Sequence, residues 1–296
     1  MHRSSRSART APADRPARRR LPAVAALAAA TALVAGAAAP AYAAEPAPVA
    51  PASQARPGFH PDQDFAGSTV AAHEGRGNGA APFASLAATQ TPGLDVSSYQ
   101  GNVNWSSVAA NGARFGYVKA TEGTGYTNPS FAQQYNGSYN AGLIRGAYHF
   151  ALPDVSSGAT QATYFVGHGG GWSADGKTLP PALDIEYNPY GATCYGLSQS
   201  AMVSWIRSFS DTVHTRTGRY PTIYTTTNWW SQCTGNYSGF GATNPLWIAR
   251  YASTVGTLPA GWGYQTFWQF ADSGTFPGDQ NYFNGAADRL RALALG

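Results

Sequence analysis

The chain has 296 residues, with 19 Lys and Arg against 15 Asp and Glu, a formal net charge of +4. Seven of those basic residues and one acid lie within the first 43 positions, leaving 12 basic and 14 acidic residues and a net charge of −2 in the remainder. Such a remainder has no basic surplus to neutralise a phosphate backbone, which excludes nucleic acid as the partner.

The first element is a leader. Arg3, Arg6, Arg9, Arg15, Arg18, Arg19 and Arg20 precede the apolar run LPAVAALAAATALVAGAAA, and the small-residue site AYA follows, closing on Ala43. This pattern predicts a secretory signal peptide over 1–43, and a secreted, extracellular protein without a membrane anchor in its mature form. A membrane anchor is the rival reading, but the run is alanine-rich and lacks a stop-transfer flank. Residues 44–90, rich in Ala, Pro and Gly with almost no periodic apolar pattern, read as a low-complexity linker or pro-segment with no core of its own. Within them FAGSTVAAHEGRG is a candidate piece of a cleaved pro-peptide.

From Thr91 the texture changes. GLDVS (93–97), FGYVKAT (115–121), LIRGAYHFA (143–151), PALDIEY (181–187), PTIYTTT (221–227), LWIARY (246–251) and TFWQFA (266–271) read as strands. WSSVAANGA is helical, and NPSFAQQYNGSYNAG predicts a helix capped by Asn128 with Pro129 at its first position. In SQSAMVSWIRSFSDTVHTRTG, Met202, Ile206, Phe209 and Val213 form one helical stripe and Gly218 suits the C-cap. Strand–helix alternation over 91–296 predicts one α/β domain, an irregular TIM-like (β/α) barrel in which the later strands lack full helices between them.

Cys194 and Cys233 are the two cysteines, both in the exported part, so a disulfide is expected, contributing about 4 kcal/mol on the chain-entropy account. A catalytic thiol is the alternative, and no Cys–His signature surrounds either residue.

Asp184 and Glu186 alternate with Leu183, Ile185 and Tyr187. In a strand, positions i and i+2 share a face, which turns the two acids toward the barrel interior and Leu183 and Ile185 toward outer helices. Crowded buried carboxylates keep one proton high while another group stays ionised, as glycoside hydrolysis requires. Asp95 also sits in an apolar strand pattern, and Glu122 and Asp279 lie just past strand candidates. A solvated turn, a structural ion pair or a calcium or magnesium site are the rival readings. No basic residue falls between Leu179 and Met202, and neither an EF-hand loop nor His-rich zinc spacing occurs, so no metal or cofactor is expected.

Aromatics form a second constellation. Tyr99, Tyr148, Tyr187, Tyr224, Trp247, Tyr251 and Trp268 cluster near strand ends, where flat rings stack on sugar faces and polar tips reach hydroxyls. Each taken singly reads as core or surface packing; the cluster carries the sugar-binding expectation. Trp229 and Trp230 belong to the same cluster, and His149 reads as a hydrogen-bonded core residue.

GLDVSSYQGNVNW, YVKATEGTGYTNPSF, IRGAYHFA, LDIEYNPYG, IYTTTNWW, PLWIARY, and FWQF followed by DQNYFNG resemble, in order, the glycoside hydrolase family 25 muramidases, or CH-type lysozymes. The resemblance spans residues 93 to about 290 and implies a barrel with fewer outer helices than strands. It also implies cleavage of the β-1,4 bond between N-acetylmuramic acid and N-acetylglucosamine, with peptidoglycan glycan strands as the partner of a monomeric enzyme. By position, Glu186 matches the general acid and Asp184 the residue that assists the substrate acetamido group. Asp95 and Asp279 match the other two site acids, and Glu122 ranks below the four. The cysteines match a pair found in close relatives. The hydrolase of another acetamido-sugar polymer such as chitin, or a barrel binding wall sugars without cutting them, are the alternatives.

Overall fold

The computed structural model describes residues 58–77 and 90–296. The signal peptide read over 1–43, and the parts of 44–90 outside 58–77 and Gln90, lie outside the described residues. Nine strands occur among the described residues: β1 (Thr91–Val96), β2 (Phe115–Glu122), β3 (Tyr126–Thr127), β4 (Ile144–Phe150), β5 (Ala182–Asp184), β6 (Thr222–Thr225), β7 (Leu246–Ala249), β8 (Phe267–Ala271) and β9 (Asp279–Phe283). All but β3 form a ring in the order β1-β9-β8-β7-β6-β5-β4-β2, and pairing of β1 with β2 closes it. The ring is therefore an eight-stranded barrel, with β3 a short antiparallel flap on β2.

The barrel is parallel except for β9, which runs antiparallel to both β8 and β1. Chain length explains the exception. Only residues 272–278 join β8 to β9, too few for a crossover, so the two strands pair as a hairpin. The longer run 250–266 carries β7 to β8 as a parallel crossover without a helix.

Seven helices occur among the described residues: α1 (Val70–Glu74), α2 (Trp105–Ala110), α3 (Phe131–Asn140), α4 (Gly158–Gly167), α5 (Gln199–Thr217), α6 (Thr227–Thr234) and α7 (Ala287–Leu295). In α5 the stripe Met202, Ile206, Phe209 and Val213 is fully buried, each side chain contributing about 1.5–3 kcal/mol on removal from water. Gly218 takes the left-handed C-cap. Leu183 and Ile185 share a core cluster with this stripe and with Ala162 and Phe165 of α4.

The start of α3 differs from expectation. Its N-cap is Ser130, and helix begins at Phe131. The Asn128 side chain is committed elsewhere: Oδ1 accepts from Ser130 N at 2.8 Å, an Asx turn, while Nδ2 donates to Lys119 O and Gln134 Oε1. Helices α1, α4, α6 and α7 and strands β3 and β9 had no counterpart in the sequence reading.

The barrel interior is a packed aromatic column at one end. Phe115, Tyr117, Trp247, Phe267 and Phe283 share one cluster, with the Tyr117 and Trp247 rings stacked at 4.8 Å. Gly146 leaves room for this column, since a Cβ there would lie 2.3 Å from the Tyr117 ring. The polar residues stand above it, at the mouth formed by the C-terminal strand ends.

Candidate active site

Parallel strands deliver their C-terminal ends to one mouth. Asp184 ends β5, with Glu186 two residues beyond; Glu122 ends β2; Asp95 is the penultimate residue of β1. Because β9 is reversed, its first residue, Asp279, reaches the same mouth and pairs directly with Asp95. All five acids are buried.

A β-bulge supplies the countercharge. Register along β2 shifts between Lys119 and Thr121. In an even strand, residues three apart point to opposite faces; the extra residue lets Lys119 and Glu122 meet, with Nζ 2.5 Å from Glu122 Oε2 and both side chains buried. Tyr190 donates to the other Glu122 oxygen at 2.9 Å. Burial pushes Glu122 up to about 6, opposed by the Lys119 charge.

The remaining acids have no such ion pair. Asp95 Oδ2 accepts from Gln269 Nε2 at 3.0 Å and from Asn281 Nδ2 at 2.6 Å, yet burial pushes its carboxyl up to about 7. Burial and the Asp95 charge hold Asp279 well above the usual carboxylate range. Asp184 is held well above it too, by burial and then by the Glu186 charge, and neither of its oxygens has a hydrogen-bond partner among the described residues. Burial pushes Glu186 up to about 8, against hydrogen bonds that favour its charged form. A carboxyl that keeps its proton at neutral pH beside a second carboxyl free to accept a hydrogen bond can protonate a leaving group and orient a substrate N–H. Among the described residues no three of His, Cys, Asp and Glu gather as a metal-holding group.

The donors to Glu186 come from residues 58–77. Gly67 N–H donates to Oε1 at 2.7 Å, and the Thr69 hydroxyl donates to Oε2. Lys119 Nζ donates to the carbonyls of Pro61 at 2.9 Å and Asp64 at 2.5 Å, and the Tyr190 hydroxyl shares its single proton between Glu122 and the Asp64 carboxylate.

The aromatic cluster divides. Tyr148, Tyr224 and Tyr251 point their hydroxyls into the mouth: Tyr148 accepts from Ala66 N at 3.3 Å, and Tyr224 and Tyr251 donate to Gln269 Oε1 at 2.7 and 3.1 Å. Tyr187 donates to Glu74 at 2.7 Å and stacks on His73 at 4.0 Å. Tyr99 is 64% exposed, with its ring 5.3 Å from Phe65.

Two aromatics stand away from the mouth. Trp247 lies in the aromatic column with Nε1 on Asn281 Oδ1 at 2.8 Å. Trp268 faces outward beside Phe270 and Tyr282, because the period of two turns Phe267 and Gln269 inward. Trp229 and Trp230 are buried in the outer core, and His149 bonds Thr121 Oγ1 and Gln161 Oε1 in the same layer. Burial lowers His149 to about 3 and keeps it neutral.

Lys119, Gln269 and Asn281 contact the site and were not anticipated. Lys119 and Gln269 are each a lone strongly polar residue within an apolar run, whereas Asn281 lies in the polar start of β9. Cys194 and Cys233 form a disulfide that ties the loop after β5 to α6, with Cα atoms 5.3 Å apart.

The family model for glycosyl hydrolases family 25 matches residues 94–279. Over 208 residues the chain is 54% identical to an N,O-diacetylmuramidase of Chalaropsis sp, covering 69% of this chain and 99% of that protein. Lysozyme M1 of Streptomyces globisporus is 51% identical over 207 residues, covering 68% and 70%. The solved structure of a muramidase from Acremonium alcalophilum has 62% sequence identity and a TM-score of 0.69, covering 70% of this chain and 99% of that one.

Proposed function

The chain belongs to glycosyl hydrolases family 25 and is a glycoside hydrolase, and from that premise we propose that it is a lysozyme. It would hydrolyse the β-1,4 bond between N-acetylmuramic acid and N-acetylglucosamine in peptidoglycan, with Glu186 as general acid. One observation carries the residue assignment: burial pushes Glu186 up to about 8 at the mouth with residues 58–77 seated, while Asp184, two residues away, is buried with neither oxygen hydrogen-bonded among the described residues. The relatives named lysozyme and N,O-diacetylmuramidase support the substrate.

In the proposed reaction the acetamido N–H of N-acetylmuramic acid donates to Asp184. Its carbonyl oxygen attacks the anomeric carbon as the bond to the leaving oxygen breaks, and Glu186 passes its proton to that oxygen. The positive charge on the ring so formed favours the carboxylate of Asp184, opposing the burial that holds it protonated in the free chain. Water then attacks the anomeric carbon, Glu186 takes up a proton, and the acetamide is restored with retained configuration. Asp95 and Asp279 stand across the mouth, where they would accept hydrogen bonds from sugar hydroxyls or the attacking water.

The reading places this chemistry outside the cell, in keeping with the leader pattern and the disulfide, in a monomer. Its test is reducing-end analysis, by mass spectrometry, of peptidoglycan digested with wild type and with Glu186→Gln. New muramic acid ends, lost in the variant, are the expected result; new glucosamine ends would make the enzyme a glucosaminidase. Product NMR showing initial inversion at the anomeric carbon would sink the acetamido-assisted route.

A further inference from the structure

Residues 58–77 occupy the place where the substrate of the preceding section would lie. Ala66 and Val70 are completely buried in the barrel-interior cluster. Around them the segment's backbone is bonded to the barrel: Gln269 Nε2 donates to Ala66 O at 2.7 Å, the Tyr251 hydroxyl shares its single proton between Gly67 O and Gln269 Oε1, each at 3.1 Å, and Gly77 N–H donates to Tyr251 O at 2.7 Å. Beyond α1, Arg76 pairs with Asp272 at 2.6 Å.

The closest approach is at Gly67. Its φ of +95° is a conformation L side chains rarely adopt, and a Cβ there would lie 2.2 Å from the Tyr251 hydroxyl and 3.0 Å from Asp279 Oδ2. Its N–H and the Thr69 hydroxyl take both oxygens of Glu186. Cavities of about 420 and 350 Å³ flank the segment, and neither is lined by Asp184 or Glu186.

We propose that residues 58–77 are an internal peptide ligand of the catalytic mouth and keep the chain latent, so that a glycan strand reaches Glu186 only after the segment withdraws or is removed. The proposal rests on the lysozyme reading for the identity of the excluded strand. Three features of the contacts fit a temporary occupant. The segment is held by hydrogen bonds, one exposed ion pair, the buried side chains of Ala66 and Val70 and the rings of Phe59, Phe65 and His73 against Tyr190, Tyr99 and Tyr187, the Cys194–Cys233 bridge does not include it, and its one helix has five residues. The groups it engages at the mouth (Glu186, Tyr251 and Gln269) are polar residues that a sugar chain would otherwise find unoccupied.

The test uses the intact chain carrying the segment, as wild type, Gly67→Val and Thr69→Ala, with two readouts. Hydrogen exchange follows the amides of residues 66–77, and the initial rate of peptidoglycan digestion follows access to Glu186. Wild type is expected to show protected amides and a low rate. Gly67→Val, which cannot seat, is expected to lose protection and gain at least tenfold in rate, about 1.4 kcal/mol of released occupancy. Thr69→Ala should give a smaller gain in the same direction, and a synthetic peptide of residues 58–77 should slow Gly67→Val in trans. Unprotected amides in wild type, or lost protection in Gly67→Val with an unchanged rate, would overturn the proposal. The expected protection pattern with no digestion by any form would leave the segment seated and overturn the lysozyme reading instead.

Discussion

Asp95 and Asp279 stand directly opposite one another across the β1–β9 ladder, both buried, with no cation bonded to either among the described residues. Burial disfavours the charge on each, and the Asp95 charge raises Asp279 further, so the folded chain holds protons on this pair that the unfolded chain releases. For Asp95 the folded value is about 7 against 3.8 unperturbed. Its contribution to stability is therefore full below pH 3.8 and is lost as pH rises toward 7. Asp95→Asn should gain stability relative to wild type across that window, by up to about 1.4 kcal/mol per pH unit. Urea unfolding at intervals from pH 4 to 7 would show it, and parallel curves for the two proteins would refute it.

Glu186 gives a rate prediction with the opposite requirement, because a general acid works only while protonated. Burial raises the Glu186 carboxyl while the segment is seated, and in the open enzyme kcat/KM for peptidoglycan should fall tenfold per pH unit once pH passes the value of its carboxyl there. The measurement belongs on Gly67→Val, in which the two hydrogen bonds from the segment are absent. Their loss favours the protonated form, and the water admitted in their place favours the charged form. Glu186→Gln should lower the rate by about 10²–10⁴-fold and abolish the limb. An alkaline limb that survives in Gly67→Val combined with Glu186→Gln would assign the acid to another residue.

The alternation in LDIEY was enough to place Asp184 and Glu186 inward and Leu183 and Ile185 under α4 and α5, because one face of that run is polar and the other apolar. TFWQFA offers no such contrast. Phe267 and Trp268 are both large and apolar, so parity cannot tell the interior from the outer layer, and Trp268 turned out to face away from the mouth. Strand β9 was missed because DQNYF carries polar residues that bond within the barrel, and its pairing depends on the seven-residue hairpin connection 272–278 that turns it back on β8. The seating of residues 58–77 was illegible for a related reason. Their partners are backbone atoms and polar side chains 55 to 203 residues distant, and local apolar periodicity records nothing of such contacts.

Lys119 and Glu122 form a buried pair whose members should not be separable. Glu122→Gln leaves the Lys119 ammonium buried against the carbonyls of Pro61 and Asp64 with no bonded carboxylate, a change expected to cost about 3–5 kcal/mol. Lys119→Met combined with Glu122→Gln removes both charges and should cost less than the two single changes summed. Chemical denaturation of the four proteins completes the cycle. In contrast to Glu186→Gln, folded Glu122→Gln should still digest peptidoglycan once the segment is displaced, since Lys119 and Tyr190 already occupy the Glu122 oxygens. Loss of activity equal to that of Glu186→Gln would move Glu122 into the reaction.

The disulfide acts on a different quantity. It joins Cys194, in the loop leaving β5, to Cys233 near the end of α6, and it closes a span of 39 residues. That span contains all of α5, whose apolar stripe already anchors it to the barrel, so the bridge mainly restricts the unfolded chain. Replacing both cysteines by alanine should lower stability by about 4 kcal/mol, from loop-closure entropy. Cys233 is completely buried, and alanine there leaves space beside Trp229 and Trp230, which adds to the loss. Reducing the wild-type bridge without substitution separates the two effects, because the thiols keep the volume. Guanidinium unfolding of oxidised, reduced and double-alanine protein should therefore rank them in that order of decreasing stability, with activity at 25 °C retained in all three. Equal midpoints for oxidised and reduced protein would show that α5 alone holds the loop, and that the bridge contributes nothing to stability.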